Sequence, residues 1–264
     1  MTVLEALILG LIQGLTEFLP ISSSGHIELG SVLLNLETKE NLPFSIAVHA
    51  ATALSTIIVF YKDIALLIRG FLKFELNEQT TFFFKILISI LPVGVVGVLY
   101  EDEISSLFSG KVMLVGSMLL VTAFLLIISG LIKQHHKNVG YVSAFIIGLA
   151  QAIAIMPGIS RSGATIATAL LLNIQKEQAA RFSFLMVLIP ILGASLLKFK
   201  SFVEEPIIGD GIPFTSLMIG FVAALVSGLF ACRWMIEIVK KGKLIYFAAY
   251  CLIVGSIAIL SQLL

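Results

Sequence analysis

Glu17, His26 and Arg161 each stand inside an apolar run, beside serines and glycines. Their types and spacing limit the chemistry they could do. Gln13 and Glu17 are four apart, so a helix puts them on one face. There the carboxylate could act as a general base, or bind a metal with Gln13 beside it. The plainer alternative is a buried glutamate, neutral or paired for structure. Pro20 disfavours helical backbone at Leu19, which ends that helix, and Ser22-Ser23-Ser24-Gly25-His26 then opens another. Serines are good N-caps. A helix start also presents unpaired amides and a positive dipole end, a natural seat for phosphate; capping plus a tight turn is the simpler reading. His26 could take or give a proton, or attack phosphorus itself, although a lone histidine on an apolar face is more often structural.

The run Pro157-Gly158-Ile159-Ser160-Arg161-Ser162-Gly163-Ala164-Thr165 has the same character, with Arg161 in the place of Ser23. A guanidinium inside a membrane needs an anionic partner, since even mild scales put its insertion cost at roughly 2.5–3.5 kcal/mol. Its planar fork suits phosphate oxygens. The structural partner would be Glu17, the functional one a substrate phosphate, and the two can alternate. Ser160, Ser162, Gly163 and Thr165 read as a second anion-binding helix start. One carboxylate, one imidazole, one guanidinium, several hydroxyls and two helix starts suit phosphoryl transfer, where positioning and charge stabilisation carry catalysis. Other polar groups read more weakly. Glu28 does not share a helical face with His26, His49 and Thr52 read as structural, and His135-His136 as solvated. Cys232 and Cys251 read as core thiols, and no Cys or His spacing suggests zinc. Gly94 and Gly97 read as helix-packing positions.

Elements that could hold such groups follow from composition. Of 264 residues, 58% are hydrophobic and 12% charged, against roughly 25% charged in soluble domains. The chain therefore reads as an all-α, polytopic integral membrane protein. Its net charge of +1 implies no nucleic-acid partner. Met1-Thr2-Val3-Leu4-Glu5 lacks a basic region and a cleavage signal, so a removed signal peptide is not expected. Six apolar segments are long enough to span, at about 44–61, 82–100, 112–132, 182–199, 214–233 and 244–262. Two more, at about 3–34 and 141–172, are broken in the middle by Pro, Gly, Ser and a charge. They read as re-entrant helix–break–helix hairpins, tolerated at membrane depth only where buried in protein or lining a cavity.

The two broken segments resemble each other at an offset of 138, which aligns Gly10 with Gly148, Gln13 with Gln151, Ser22 with Ser160, Ser24 with Ser162, Gly25 with Gly163 and Asn35 with Asn173. Phe44-Ser45 aligns with Phe182-Ser183 in the same way. Chance likeness of apolar helices does not align Gln, Ser, Gly and Asn. Two repeats are expected, about 1–138 and 139–264. Lys62, Arg69, Lys73, Lys133, Lys137, Arg233, Lys240, Lys241 and Lys243 mark one set of loops; Glu101, Asp102, Glu103, Glu204, Glu205 and Asp210 mark the alternate set. The positive-inside rule places the basic set in the cytoplasm. Each half then has one hairpin and three spans, so the second half enters upside down. That is an inverted-topology repeat with six transmembrane helices, whose two hairpins meet near the midplane.

The motifs resemble the undecaprenyl-diphosphate phosphatase, or bacitracin-resistance, family. They are Gln13 and Glu17 running into Ser22-Ser23-Ser24-Gly25-His26, and the run from Pro157 to Thr165. The resemblance implies removal of one phosphate from a polyprenyl diphosphate lipid, a divalent cation such as Mg²⁺ or Ca²⁺, and residence in the cell membrane with a site opening outward. It implies that Glu17, His26 and Arg161 are essential, that Ser23 is a candidate nucleophile, and that Ser22, Ser24, Ser160, Ser162 and Thr165 assist. Departures from the pattern are Gln13 where many members carry Glu, Ser24 where Thr is common, Glu28 at an apolar position, and His49-Ala50-Ala51-Thr52 for His-x-Gly-Thr. Membrane lipids are the expected surroundings, and a homodimer is left open.

With what the resemblance implies, two functions compete. In a phosphatase, Gln13 and Glu17 bind the metal or orient attack, Arg161 and the helix starts hold the diphosphate, and Ser23 or His26 attacks. An inverted-repeat transporter or flippase for a polyprenyl phosphate would share the architecture but has no need of a nucleophile and an acid–base set. A third reading, the lipid phosphatases with Ser-Arg-x5-His-x3-Asp, fails because Ala167 occupies the required histidine position.

Overall fold

The structure is a computed structural model that describes residues 1–34, 42–107, 111–132, 136–204 and 212–263. Asn35, Lys133, His135, Glu205 and Asp210 lie outside the described residues. Among the described residues the chain is helical throughout: α1 (Val3–Phe18), α2 (Ser23–Leu33), α3 (Leu42–Val59), α4 (Tyr61–Phe71), α5 (Glu78–Leu99), α6 (Glu101–Ser106), α7 (Val112–Leu131), α8 (Tyr141–Ile153), α9 (Arg161–Leu171), α10 (Lys176–Glu204), α11 (Phe214–Lys241) and α12 (Ile245–Leu260). The one ladder-type pairing described is an isolated bridge between Lys137 and Ile174.

Among the described residues four helices, α5, α7, α10 and α11, are long and apolar enough to cross a membrane, and α3 with α4 makes a fifth if the bent pair counts as one span. Three expectations shift. The basic stretch 62–81 is largely helix, because α4 continues from α3 after a 75° bend. Leu67 and Gly70 are buried on one face of α4 while Lys62 and Arg69 flank the other. Amphipathic spacing of this kind makes a surface helix where charge density alone reads as loop. The basic stretch 233–243 likewise continues α11 to Lys241, and Gly242 stops it with a left-handed φ of 69°, a conformation glycine adopts without strain. Finally, α12 has 16 residues, short of the roughly 20 a full crossing takes.

Small residues determine which helices touch. A side chain on Gly10 would stand 2.5 Å from the Gly220 carbonyl oxygen, and one on Gly14 would collide with Ser227, so α1 lies directly on α11. Gly148 meets the Ser89 backbone and sets α8 on α5. Gly116 and Gly255 each stand 2.8 Å from the other's carbonyl oxygen in the same sense, joining α7 to α12. Gly94 and Gly97 face open space; the expected packing role passes to these five positions, because the end of α5 around Val95 and Val98 is exposed.

Both broken segments are helix–break–helix. Between α1 and α2, Leu19 is extended at φ −72°, ψ 144°, as a residue ahead of proline should be. Between α8 and α9, the break turns through Gly158 at φ 95°. The largest apolar cluster spans α7, α9, α10 and α11, with Phe182, Phe184, Leu119, Leu126, Ile166 and Met235 essentially inaccessible. The breaks are therefore set in protein, not along its rim.

Candidate active site

The first half of the site is built at the end of α1. Gln13 Nε2 donates to Glu17 Oε2 at 3.0 Å, the one-face pairing that a spacing of four predicts. Ser23 Oγ, at the first turn of α2, donates to the same oxygen at 2.5 Å. Charge-assisted O–H···O⁻ bonds have this length. The Glu17 side chain is only 6% exposed, so these donors replace the water it has lost.

Ser22 caps α2: its hydroxyl accepts from the Gly25 amide at 3.3 Å and lies 3.3 Å from Ser24 Oγ. Its φ of 69° is left-handed backbone, which costs a non-glycine residue on the order of 1 kcal/mol. The conformation lets the Ser22 carbonyl receive His26 Nδ1 at 2.8 Å. His26 Nε2 meets Tyr250 Oη of α12 at 2.8 Å, with the two rings inclined by 16°.

The second half repeats the capping logic. Ser160 Oγ accepts from the Gly163 amide at 3.0 Å and lies 3.2 Å from Ser162 Oγ. Thr122 of α7 holds this break from behind: its Oγ1 accepts from the Ser160 amide at 3.0 Å and donates to the Gly158 carbonyl at 3.1 Å. Thr165 turns its hydroxyl back onto the Arg161 carbonyl at 3.0 Å and is 1% exposed. Its hydroxyl is thereby tied into its own helix.

The two halves meet. Arg161 Nη2 is 3.5 Å from Glu17 Oε1, and Ser162 Oγ donates to the Leu19 carbonyl at 3.2 Å. A Cβ on Gly25 would lie 3.2 Å from Gly158 Cα, and one on Gly163 3.2 Å from Pro20. The two glycines let the breaks touch, so the starts of α2 and α9 converge on one region, where their dipoles add as positive potential. Beside it lies a narrow cleft lined by Glu17, Thr56, Arg161, Ser162, Ser183 and Phe184. Arg161 holds Glu17 loosely and keeps about 30% of its side chain exposed, which leaves its fork available to a second anion.

The expected metal ligands can be tested against this geometry. Gln13 is fully buried and its Oε1 has no hydrogen-bond partner among the described residues. A neutral amide oxygen beside a carboxylate is a hard-cation donor pair, and Mg²⁺ typically takes one or two carboxylates with the remaining oxygens from substrate phosphate and water. The residues present fit such an ion, with substrate completing its shell.

Three residues at the site carry little warning in the sequence. Tyr250 sits in a long apolar run remote from both motifs. Thr122 is one of three hydroxyl residues in α7, with Ser117 and Ser129, and nothing in the sequence of the span marks it over the other two. Ser183 is 2% exposed at the cleft, its Oγ without a hydrogen-bond partner among the described residues; its alignment with Ser45 was the available signal. His49 bonds to the Ser45 carbonyl through Nδ1 at 2.8 Å and lies close enough to Glu17 for their charges to interact. Glu28 is buried within α2.

Similarity to known proteins follows the same residues. A family model described as bacitracin resistance protein BacA matches residues 6–257. An undecaprenyl-diphosphatase of Bacteroides fragilis is 55% identical over 261 residues, 98% of each chain. One of Bacteroides thetaiotaomicron is 52% identical over the full length of both, and one of Methanobrevibacter smithii 36% identical over 100% of this chain and 99% of its own. With two broken segments brought together at their serine-capped helix starts, and with similarity running nearly end to end, this chain belongs to the bacitracin resistance protein BacA family.

Proposed function

We propose that the chain is an undecaprenyl-diphosphatase, an integral membrane hydrolase that removes the terminal phosphate of undecaprenyl diphosphate and releases the monophosphate lipid and inorganic phosphate. The observation that carries the reading is the meeting of Glu17, Ser23 and Arg161 across two convergent helix starts, in a chain more than half identical to proteins of that name.

The diphosphate binds at the starts of α2 and α9, where helix dipoles and serine hydroxyls meet an anion. Arg161 moves from Glu17 to the phosphate oxygens, which its fork fits better than a single carboxylate oxygen at 3.5 Å. That exchange frees the carboxylate. Ser23 Oγ attacks the terminal phosphorus while its proton passes to Glu17 Oε2, already in hydrogen bond with it. The bond from phosphorus to the bridging oxygen breaks, and the lipid monophosphate leaves with that oxygen. Glu17 passes that proton to the departing monophosphate or to solvent and is a carboxylate again. Water then attacks the seryl phosphate, gives one proton to Glu17 and frees inorganic phosphate; the proton from Glu17 returns to Ser23. His26 works through Nε2, since Nδ1 is committed to the Ser22 carbonyl. Gln13 and Glu17 would hold a divalent cation such as Mg²⁺ or Ca²⁺, which when bound supplies charge neutralisation for the diphosphate. The lipid tail lies between helices in the bilayer.

The same reading takes 1–138 and 139–264 as inverted repeats with six spans and two re-entrant hairpins, in the cell membrane with the site opening outward. Packing supports it: α1 of one half lies on α11 of the other, and α8 lies on α5, the partners that the offset of 138 exchanges.

Inorganic phosphate released from undecaprenyl diphosphate by the purified protein in detergent, with Mg²⁺ or Ca²⁺, tests the function. Release by the parent protein and its loss in Glu17→Ala, His26→Ala and Arg161→Ala are expected. A parent protein that releases none, yet moves the lipid phosphate across vesicles, would replace the hydrolase with a carrier.

A further inference from the structure

Residues 250 and 251 of α12 both touch the first break. Tyr250 Oη lies 2.8 Å from His26 Nε2 with the rings near parallel, and Cys251 Sγ lies 3.8 Å from the Pro20 carbonyl oxygen, which can accept its weak S–H. Close helix packing sets their placement. Gly255, just over one turn on, meets Gly116 backbone to backbone, and α7 in turn holds the second break through Thr122. One helix without a motif of its own is thus keyed to His26.

The hydrogen-bond roles at His26 follow from what each partner can do. The Ser22 carbonyl only accepts, so Nδ1 carries a proton. In the neutral ring Nε2 is then an acceptor, and the Tyr250 hydroxyl must donate to it. If Nε2 gains a proton, the same phenol oxygen can accept it through a lone pair. Few side chains serve both states from one position. We propose that Tyr250 is a positioning residue for the phosphatase reaction: it holds the neutral His26 ring as the Nδ1–H tautomer and keeps Nε2 in the same place when the ring takes a second proton. Sequence alone does not suggest it, because nothing in the run Ile245–Leu260 marks Tyr250 over Tyr246.

The inference rests on the phosphatase reading, and its test separates the two. Nitrogen-15 spectra of the full chain labelled at histidine, with the His26 signals assigned by His26→Ala, report tautomer and hydrogen bonding directly. Wild type should show a protonated Nδ1 and a hydrogen-bonded, unprotonated Nε2. Tyr250→Phe keeps the stacked ring and loses the hydroxyl. It should move the Nε2 signal and lower kcat about tenfold, part of the 10²–10⁴-fold that a general acid or base supplies, with KM within about twofold. Tyr246→Phe, whose ring is 67% exposed on the same helix, should match wild type in all three. A wild-type His26 protonated on Nε2, or a Tyr250→Phe protein with wild-type kcat or an unmoved Nε2 signal, overturns the positioning role. Those outcomes leave the phosphatase reading standing as long as wild type releases phosphate and His26→Ala does not.

Discussion

Ser23 and His26 compete at the residue scale for the role of nucleophile, and geometry separates them. Ser23 has its base in contact at 2.5 Å. Both nitrogens of His26 are engaged, by the Ser22 carbonyl and by Tyr250. Stopping turnover in acid with phosphorus-labelled substrate should therefore trap acid-stable phosphoserine in wild type and none in Ser23→Ala; acid-labile phosphohistidine would reverse the assignment. Glu17→Gln keeps shape and loses the proton acceptor, so kcat should fall by about 10²–10⁴-fold, with the protein still monodisperse by size exclusion. Gln13→Ala removes the unpartnered Oε1 and should raise the Mg²⁺ or Ca²⁺ concentration needed for half-maximal activity several-fold. An unchanged requirement would take Gln13 out of the cation site. These residues were legible because a polar group inside an apolar run is expensive enough to need a reason. Their pairings were legible within one helix, as for Gln13 and Glu17, and once across the repeats, for Glu17 and Arg161, because a buried guanidinium needs an anion.

At the scale of elements, the second break depends on one hydroxyl of α7. Thr122→Val keeps the shape of the side chain and removes both the acceptor for the Ser160 amide and the donor to the Gly158 carbonyl. Leaving two buried backbone groups unmatched costs about 1–3 kcal/mol each. Thermal unfolding should shift down, and kcat/KM should fall with it as the start of α9 loosens; a variant equal to wild type in both would show that α9 holds its own geometry. Gly148→Val would drive a side chain into the Ser89 backbone. It should destabilise by about 1–3 kcal/mol or more, as overpacked sites do, where Gly97→Val, facing open space, should not. The helix–break–helix pattern was readable from Pro20 and Pro157-Gly158. The bend that makes α4 and the extension of α11 to Lys241 were not, since charge counts mark exposure and do not separate a loop from an exposed helix.

Over the whole molecule the question is which way the halves enter the membrane. If 1–138 and 139–264 are inverted, single cysteines at Lys73 and Lys243 label with an impermeant maleimide only in inside-out vesicles, and one at Glu103 labels in intact cells. Cys232 and Cys251 are fully buried and should stay silent in both. Labelling of Lys73 and Lys243 from opposite sides would break the parity on which the inverted arrangement rests.

Sequence by itself determined that this protein lives in a membrane, where its backbone breaks, and which polar groups line the breaks. Those properties are local, set by the cost of burying charge, by proline and glycine geometry, and by spacing along a helix. The Glu17–Arg161 pair was expected from the need of a buried guanidinium for an anion. Tertiary structure alone decided the other meetings: Gly25 against Gly158, Thr122 behind Ser160, Tyr250 on His26. Each joins residues far apart in the chain, brought within bonding distance by glycine-lined helix contacts whose partners no local pattern names.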